Sequence, residues 1–243
     1  MSVLIELHKV NIRYRTNQAG IHSVKDFFTS WANPFQTTSI LKDISLRLEK
    51  GQSLGILGRN GCGKSTLLRA VAGIIKPSSG QCICRGTVAP ILALGAGLEL
   101  ELSGYENIRL LLALYGKKAS QEAIDAIVQF SELDEDTLHQ AVKCYSSGML
   151  ARLTFSISFS QDCDLYIIDE VMAVGDMGFQ GKCKSRIREL QEAGKSFLFV
   201  SHFPDEVEKI CEQAILLDEG RLIQQGGATE ICQQYRNLFM ETK

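Results

Sequence analysis

The sequence predicts an α/β protein built on a largely parallel sheet, with a small N-terminal antiparallel β layer and an inserted α-helical region. Three observations carry this. Residues 165–168 and 196–200 are short apolar runs, as expected of strands covered on both faces. Such runs alternate with stretches of helical periodicity, the order that builds parallel βαβ units. The first 15 residues instead alternate with period two, as in Val3-Leu4-Ile5-Glu6-Leu7 and Val10-Asn11-Ile12-Arg13-Tyr14, the mark of a strand with one buried face.

The elements follow in order. Residues 16–37 interrupt the alternation and contain Gly20, Asn33 and Pro34. Within them Val24, Phe27, Phe28 and Trp31 fall at i, i+3, i+4 and i+7, one apolar stripe on a short helix. Residues 40–48 alternate again as an edge or one-faced strand. Residues 52–57 form a short buried strand, followed by a glycine-rich turn and a helix over 65–72. Pro77 to Gly80 mark a turn, and Cys82 and Cys84 sit on a strand. Helical periodicity covers 103–115, 120–133 and 147–160. After the strand at 165–168 come a charged helix at 181–193, a buried strand at 196–200, a helix at 205–212, and strands at 214–217 and 222–225. We read residues 1–243 as a single domain, with a helical subdomain at about 98–161 and an N-terminal insert at about 16–37.

Composition narrows the function. The chain has 243 residues, enough to bury a core without disulfides or metals. Lys plus Arg is 26 against 28 Asp plus Glu, and the pI is about 6.1, which opposes an obligate nucleic-acid binder. No run of 18 apolar residues occurs, and residues 1–10 lack the pattern of a secretion signal. The expectation is a cytoplasmic chain that serves a membrane only through a partner. None of the eight cysteines forms a C-x-x-C pair, so reduced, mostly buried thiols are expected.

The sharpest motif is Gly58-Arg59-Asn60-Gly61-Cys62-Gly63-Lys64-Ser65, a complete G-x(4)-G-K-[ST] with a strand before it and a helix after. Its glycines let successive N–H groups turn inward on a phosphate, and the helix that follows points its positive end at the same anion. Residues 58–66, including Thr66, are therefore candidate nucleotide contacts. Lys64 can reach the β- and γ-phosphates, and the Ser65 hydroxyl can ligate Mg²⁺. An acidic partner is needed at a neighbouring strand end. Asp169 ends the run at 165–168 and can hold the Mg²⁺ shell; Glu170 follows, placed to polarise water as a general base. His202 ends the next buried strand, at the sheet edge where ligands bind, and can contact the γ-phosphate.

A phosphate loop, a helical insert, Tyr145-Ser146-Ser147-Gly148-Met149, a strand ending in Asp169-Glu170 and a strand ending in His202 together resemble the ATP-binding-cassette (ABC) ATPase of membrane transporters. The resemblance covers essentially the whole chain. Ser147-Gly148 keeps the core of the family's Leu-Ser-Gly-Gly-Gln signature, which in the family caps the γ-phosphate bound to the other protomer. By the same resemblance Tyr14 stands where an aromatic stacks on adenine. Within the family the chain looks most like the ATPases that export surface polysaccharides: O-antigen, capsule and teichoic acid. That closer likeness rests on Tyr145-Ser-Ser-Gly-Met149, on Asp169-Glu-Val-Met-Ala-Val-Gly-Asp176 with Phe179-Gln180 and Lys182-Cys183, and on Leu94-Gly-Ala-Gly97 with Leu102-Ser-Gly-Tyr-Glu-Asn107. One departure stands out: no Gln occurs between Pro90 and Gly104, where the family uses one for Mg²⁺ and coupling.

The resemblance implies ATP and Mg²⁺ as cofactors, a homodimer, an integral membrane permease as partner, a lipid-linked polysaccharide as cargo and no nucleic acid. It places the chain peripherally on the cytoplasmic face of the inner membrane; many O-antigen members of the family carry an extra C-terminal carbohydrate-binding domain, and with the sequence ending at Lys243 the expectation is that this chain carries none. Two alternatives stand beside it: the ATPase of an importer or a drug or lipid exporter, and a soluble ABC switch on DNA or ribosomes. Glu99, Glu101 and Glu106 read as a solvated acidic loop in the region that meets the permease in the family. Lys182, Lys184, Arg186 and Arg188 read as a solvated helix face.

Overall fold

The computed structural model describes residues 2–17, 35–92, 95, 97–169 and 176–239. The stripe Val24, Phe27, Phe28 and Trp31, Leu94 and Ala96, and Glu170 through Gly175 lie outside the described residues. The described elements run, in order, β1 (Val3–Asn17), β2 (Phe35–Glu49), β3 (Ser53–Gly58), α1 (Lys64–Val71), β4 (Ser79–Cys84), β5 (Val88–Ile91), α2 (Gly104–Leu114), α3 (Gln121–Ser131), α4 (Glu135–His139), α5 (Ser147–Phe159), β6 (Leu165–Asp169), α6 (Met177–Glu192), β7 (Ser196–Val200), α7 (Pro204–Ile210), β8 (Gln213–Asp218), β9 (Arg221–Gly227) and α8 (Ala228–Phe239).

Two sheets form. One has the order β2-β1-β4 and is antiparallel; the other has the order β5-β6-β7-β3-β8-β9 and is parallel except for β9. The apolar runs explain the second sheet. On β6, Leu165 and Ile167 join one core cluster while Tyr166 and Ile168 join another; on β7, Leu198 and Val200 oppose Phe197 and Phe199 in the same way. Both faces of these strands are covered, as continuous hydrophobicity requires. One face packs against α1 and the antiparallel layer through Leu4, Ile12, Leu41, Ile44 and Leu67. The other packs against α5 to α8 through Phe155, Phe179, Val207 and Ile231.

Helix α5 is buried nearly all round. Ala151, Phe155 and Phe159, at i, i+4 and i+8, face the sheet, whereas Leu153 and Ile157 join a separate helical cluster with Ile108, Leu112, Ile124, Ile127 and Leu138. The helix thus belongs to both bodies of packing, which is why its sequence shows weak amphipathicity.

Several bounds differ from the sequence reading. The ladder Arg15↔Thr37, Thr16↔Gln36 and Asn17↔Phe35 carries β1 and β2 into the 16–37 stretch. Five of the six residues in these pairs are polar, so the apolar alternation that marks the rest of both strands stops here. Helix α6 begins four residues earlier than its periodicity suggests, because the Asp176 carboxylate caps it by accepting from the Phe179 N–H at 3.0 Å. Its early glycines, Gly178 and Gly181, dilute the pattern. Strand β5 and helices α4 and α8 do not figure in the reading. In α8 the buried residues Ala228, Ile231, Cys232 and Tyr235 follow helical spacing, interrupted in sequence by glutamines.

Candidate functional site

The carboxyl ends of the central strands meet along one edge. Gly58 on β3 is level with Leu217 on β8, Ile56 with Val200 on β7, and Asp169 on β6 also with Val200. Topology therefore brings Asp169, the phosphate loop and the β7 end that leads into His202 to one rim.

At Gly58 a Cβ would lie 2.1 Å from the Leu217 carbonyl oxygen and 2.7 Å from Cys62 Sγ, so β8 approaches too closely for any side chain. Gly63 has φ 109°, and its Cβ would meet Leu41 Cδ2 at 2.7 Å. Strand β2 thus presses the antiparallel layer onto the base of the loop. Gly63 is also the cap of α1, and no side chain caps that helix. Its first-turn N–H groups are left to the loop's mouth, the arrangement that receives an anion.

Lys64 is buried, and its Nζ donates to the Gly58 carbonyl at 2.8 Å and the Arg59 carbonyl at 3.1 Å. The ammonium group therefore sits within the bowl of the loop itself. Ser65 is exposed and Thr66 half-buried. Burial pushes the Cys62 thiol up from its ordinary value, with Lys64 opposing the shift, so it stays a neutral packing group beneath the loop.

His202 is half-buried beyond β7. The turn presenting it is fixed by Ser201, whose hydroxyl donates to Glu206 Oε2 at 2.9 Å and accepts from the Phe203 N–H at 3.1 Å. Arg59, Asn60 and His202 line one cleft with Tyr235, Leu238 and Phe239 of α8. The Arg59 guanidinium lies 5.8 Å from the centre of the Phe239 ring. Sequence reasoning missed these α8 residues; the 228, 231, 232, 235 spacing is the signal that could have found them. Tyr14 is 38% exposed on β1, opposite Thr38, in the sheet whose β2 abuts Gly63.

Ser147 and Gly148 open α5, and neither lines that cleft. The Ser146 hydroxyl caps the helix by accepting from the Met149 N–H at 3.3 Å. The preceding Tyr145 is buried, and its hydroxyl donates to the Thr137 carbonyl at 2.8 Å. Desolvation pushes this phenol up to about 12, so it stays a donor and pins the segment to the helical cluster. Glu170 lies outside the described residues.

The family model described as ABC transporter matches residues 41–173, which span the phosphate loop, the Tyr145–Met149 segment and Asp169. The chain belongs to the ABC transporter family. Its relatives include the O-antigen export system ATP-binding protein RfbB of Klebsiella pneumoniae, 44% identical over 82% of this chain and 81% of that protein. The teichoic acids export ATP-binding protein TagH of Listeria monocytogenes serotype 4b (strain F2365) is 35% identical over 96% of this chain and 70% of that protein. Among solved structures, the post-hydrolysis dimer of the ATP-binding cassette MJ0796 bound to ADP and Pi aligns with a TM-score of 0.76 at 18% identity, covering 93% of this chain and 99% of that one. The fold is that of the ABC ATPase cassettes, and the chain is an ATPase of this family.

In this ABC cassette the start of α6 is held by charge. Arg152 of α5 pairs with Glu132 at 2.8 Å and Asp176 at 2.5 Å, and its guanidinium stacks 4.8 Å from the Phe179 ring centre. Lys182 of α6 adds a 2.9 Å bond to Glu132 and a 3.0 Å bond to the Phe130 carbonyl. Lys184 pairs with Glu206 and Arg186 with Glu189, so three of the four basic residues on α6 are turned to acidic partners. The Phe179 N–H and then Arg152 hold the Asp176 carboxyl down to about 2. A depressed carboxyl stabilises the fold above its unfolded value near pH 4, and that contribution is lost as pH falls toward 2. The stability gap between wild type and Asp176→Asn, measured by urea unfolding, is expected to narrow as pH drops from 5 toward 3. A gap that holds constant over that range would show that the ion pair does not form in solution.

Proposed function

We propose that the chain is the ATP-hydrolysing subunit of an ABC transporter that exports a lipid-linked surface polysaccharide, O-antigen-like in class, across the inner membrane. One observation carries the cargo class: the 44% identity to an O-antigen export ATP-binding protein over 82% of the chain. The teichoic acid export relative, at 35% identity, supports the same class.

The residues support a definite division of labour. Residues 58–66 receive the phosphates, with Lys64 leaving the Gly58 and Arg59 carbonyls for the β- and γ-oxygens. Tyr14 offers a flat face for adenine. Glu170 takes the proton of the attacking water, and His202 and Lys64 neutralise charge that develops on the γ-phosphate. The Ser65 hydroxyl and Asp169 carboxylate are hard oxygen donors suited to Mg²⁺, which supplies charge neutralisation between the β- and γ-phosphates. In one chain Ser147 and Gly148 stand apart from the cleft beside Arg59. A head-to-tail homodimer supplies them from the second copy, placing the N-terminus of its α5 against the γ-phosphate.

No described helix is long and apolar enough to cross a membrane. In this reading a separate integral membrane permease supplies the transport pathway, with this chain bound peripherally on its cytoplasmic side. Affinity purification of the tagged chain from detergent-solubilised host membranes is expected to bring down one integral membrane protein and Mg²⁺-dependent ATP hydrolysis together. Recovery of the chain with ribosomes or DNA, and without a membrane protein, would overturn the transport assignment.

A further inference from the structure

We infer that Thr154 is a positioning residue for α5: its hydroxyl ties that helix to the loop after β5, so that the sheet's carboxyl edge and the helix N-terminus at Ser147-Gly148 shift together. The inference rests on the proposed role of Ser147 and Gly148 at the γ-phosphate.

The loop begins at the site. Strand β5 ends at Ile91, level with Ile168, the residue before Asp169. Four residues later the Gly95 N–H donates to Thr154 Oγ1 at 3.2 Å. Gly95 has φ 71°, a left-handed turn that aims this N–H at the helix, and its Cβ position lies 3.6 Å from Leu150 Cδ2. The peptide thus rests on Leu150 and Thr154, one helical turn apart. Ser147, Leu150 and Thr154 follow at i, i+3 and i+7, a single stripe along α5. Gly95 therefore bears on the stripe that leads directly to the candidate phosphate-capping residue.

The far end of the loop is fixed as well. Asn107 on α2 is fully buried; its Oδ1 accepts from the Glu99 N–H at 2.7 Å, and its Nδ2 donates to the Glu99, Leu102 and Ser103 carbonyls at 2.9, 3.2 and 3.0 Å. Between the strand beside Asp169 and the clamp on α2, the Gly95–Thr154 bond is a directional link from the described part of the loop to α5. Leu150 Cδ2 and Leu111 Cδ2 stand 3.6 and 3.7 Å from where a Cβ would lie on Gly95 and Gly97, and such apolar neighbours are non-directional and permit sliding. The Thr154 hydrogen bond fixes the register. Thr154 is only 6% exposed, so water does not readily replace it. This loop is the stretch in which the sequence lacks the family's glutamine.

The test uses purified full-length chain and three substitutions. Thr154→Val and Thr154→Ala both remove the acceptor, one keeping volume and one reducing it; Thr154→Ser keeps the acceptor. The Val and Ala variants are expected to retain KM for ATP within about two-fold while kcat falls about five-fold, the scale of one lost hydrogen bond. The Ser variant should stay within about two-fold of wild type in both. Wild-type kcat in the Val and Ala variants would overturn the inference, as would a Ser variant that falls as far as Val. Absence of turnover in wild type would count instead against the ATPase assignment. Hydrogen exchange of the wild-type chain needs no variant: on adding ATP, amides in 95–98 and 146–151 are expected to change protection together. A change confined to one of the two segments would contradict the tie.

Discussion

Lys64→Ala is expected to lower ATP turnover by at least about 100-fold. The reason lies in the geometry of the loop. Lys64 Nζ is the cation inside a bowl whose rim includes the Gly58 and Arg59 carbonyl oxygens, at 2.8 and 3.1 Å. Without it those oxygens face an incoming triphosphate with no positive charge between them. The N–H groups at the start of α1 remain, so weak nucleotide binding persists while charge on the transferring phosphoryl group goes unanswered. The fold is expected to survive, because Leu67, Leu68 and Val71 hold α1 in the core. Fluorescent-nucleotide binding and phosphate release, measured on the same preparation, separate the two effects. Turnover within ten-fold of wild type would remove Lys64 from the site.

Glu170→Gln is expected to bind ATP, dimerise and fail to hydrolyse it. The substitution keeps shape and hydrogen-bonding capacity but removes the base, so the closed complex accumulates instead of reopening. The expected rate loss is about 10²–10⁴-fold, the usual contribution of a positioned general base. Size-exclusion chromatography with multi-angle scattering, with ATP and with ADP, reads the outcome. A variant that stays monomeric in ATP would argue against the head-to-tail arrangement and return Ser147 and Gly148 to a structural role.

The two predictions differ in how far sequence and structure support them. The loop at 58–65 was legible from sequence because its chemistry is local: the motif, the strand and the helix lie within about twenty residues, and the structure adds why Gly58 and Gly63 are required. Asp169 was legible for the same reason, as a carboxylate ending an apolar strand. His202 was a weaker signal, and only strand order places it on the rim. What sequence could not give was the set of contacts between distant segments. Arg152 carried no mark of its pairing with Glu132 and Asp176, since the three are separated by at least twenty residues. Tyr145 read as part of a signature and proved to be a buried pin on the Thr137 carbonyl. Helix α8 escaped although Ala228, Ile231, Cys232 and Tyr235 hold an i, i+3, i+4, i+7 spacing. Conversely, the basic run on α6 looked like a solvated face, yet Lys182, Lys184 and Arg186 each engage an acidic side chain.

These contacts bear on how ATP use becomes movement. Helix α5 shares residues with both the sheet core and the helical cluster, and it is tied by Arg152 to Asp176 at the start of α6 and by Thr154 to Gly95 in the loop after β5. Under the proposed coupling, a displacement of that loop would reach Ser147 and Gly148 through the Thr154 hydrogen bond.

ATP hydrolysis by this chain is proposed to drive polysaccharide export. The most direct measurement is the location of long-chain polysaccharide in host cells whose only copy of the protein carries Glu170→Gln. The account predicts polymer lost from the cell surface and accumulated inside on its lipid carrier. Normal surface polymer in those cells would contradict the cargo assignment.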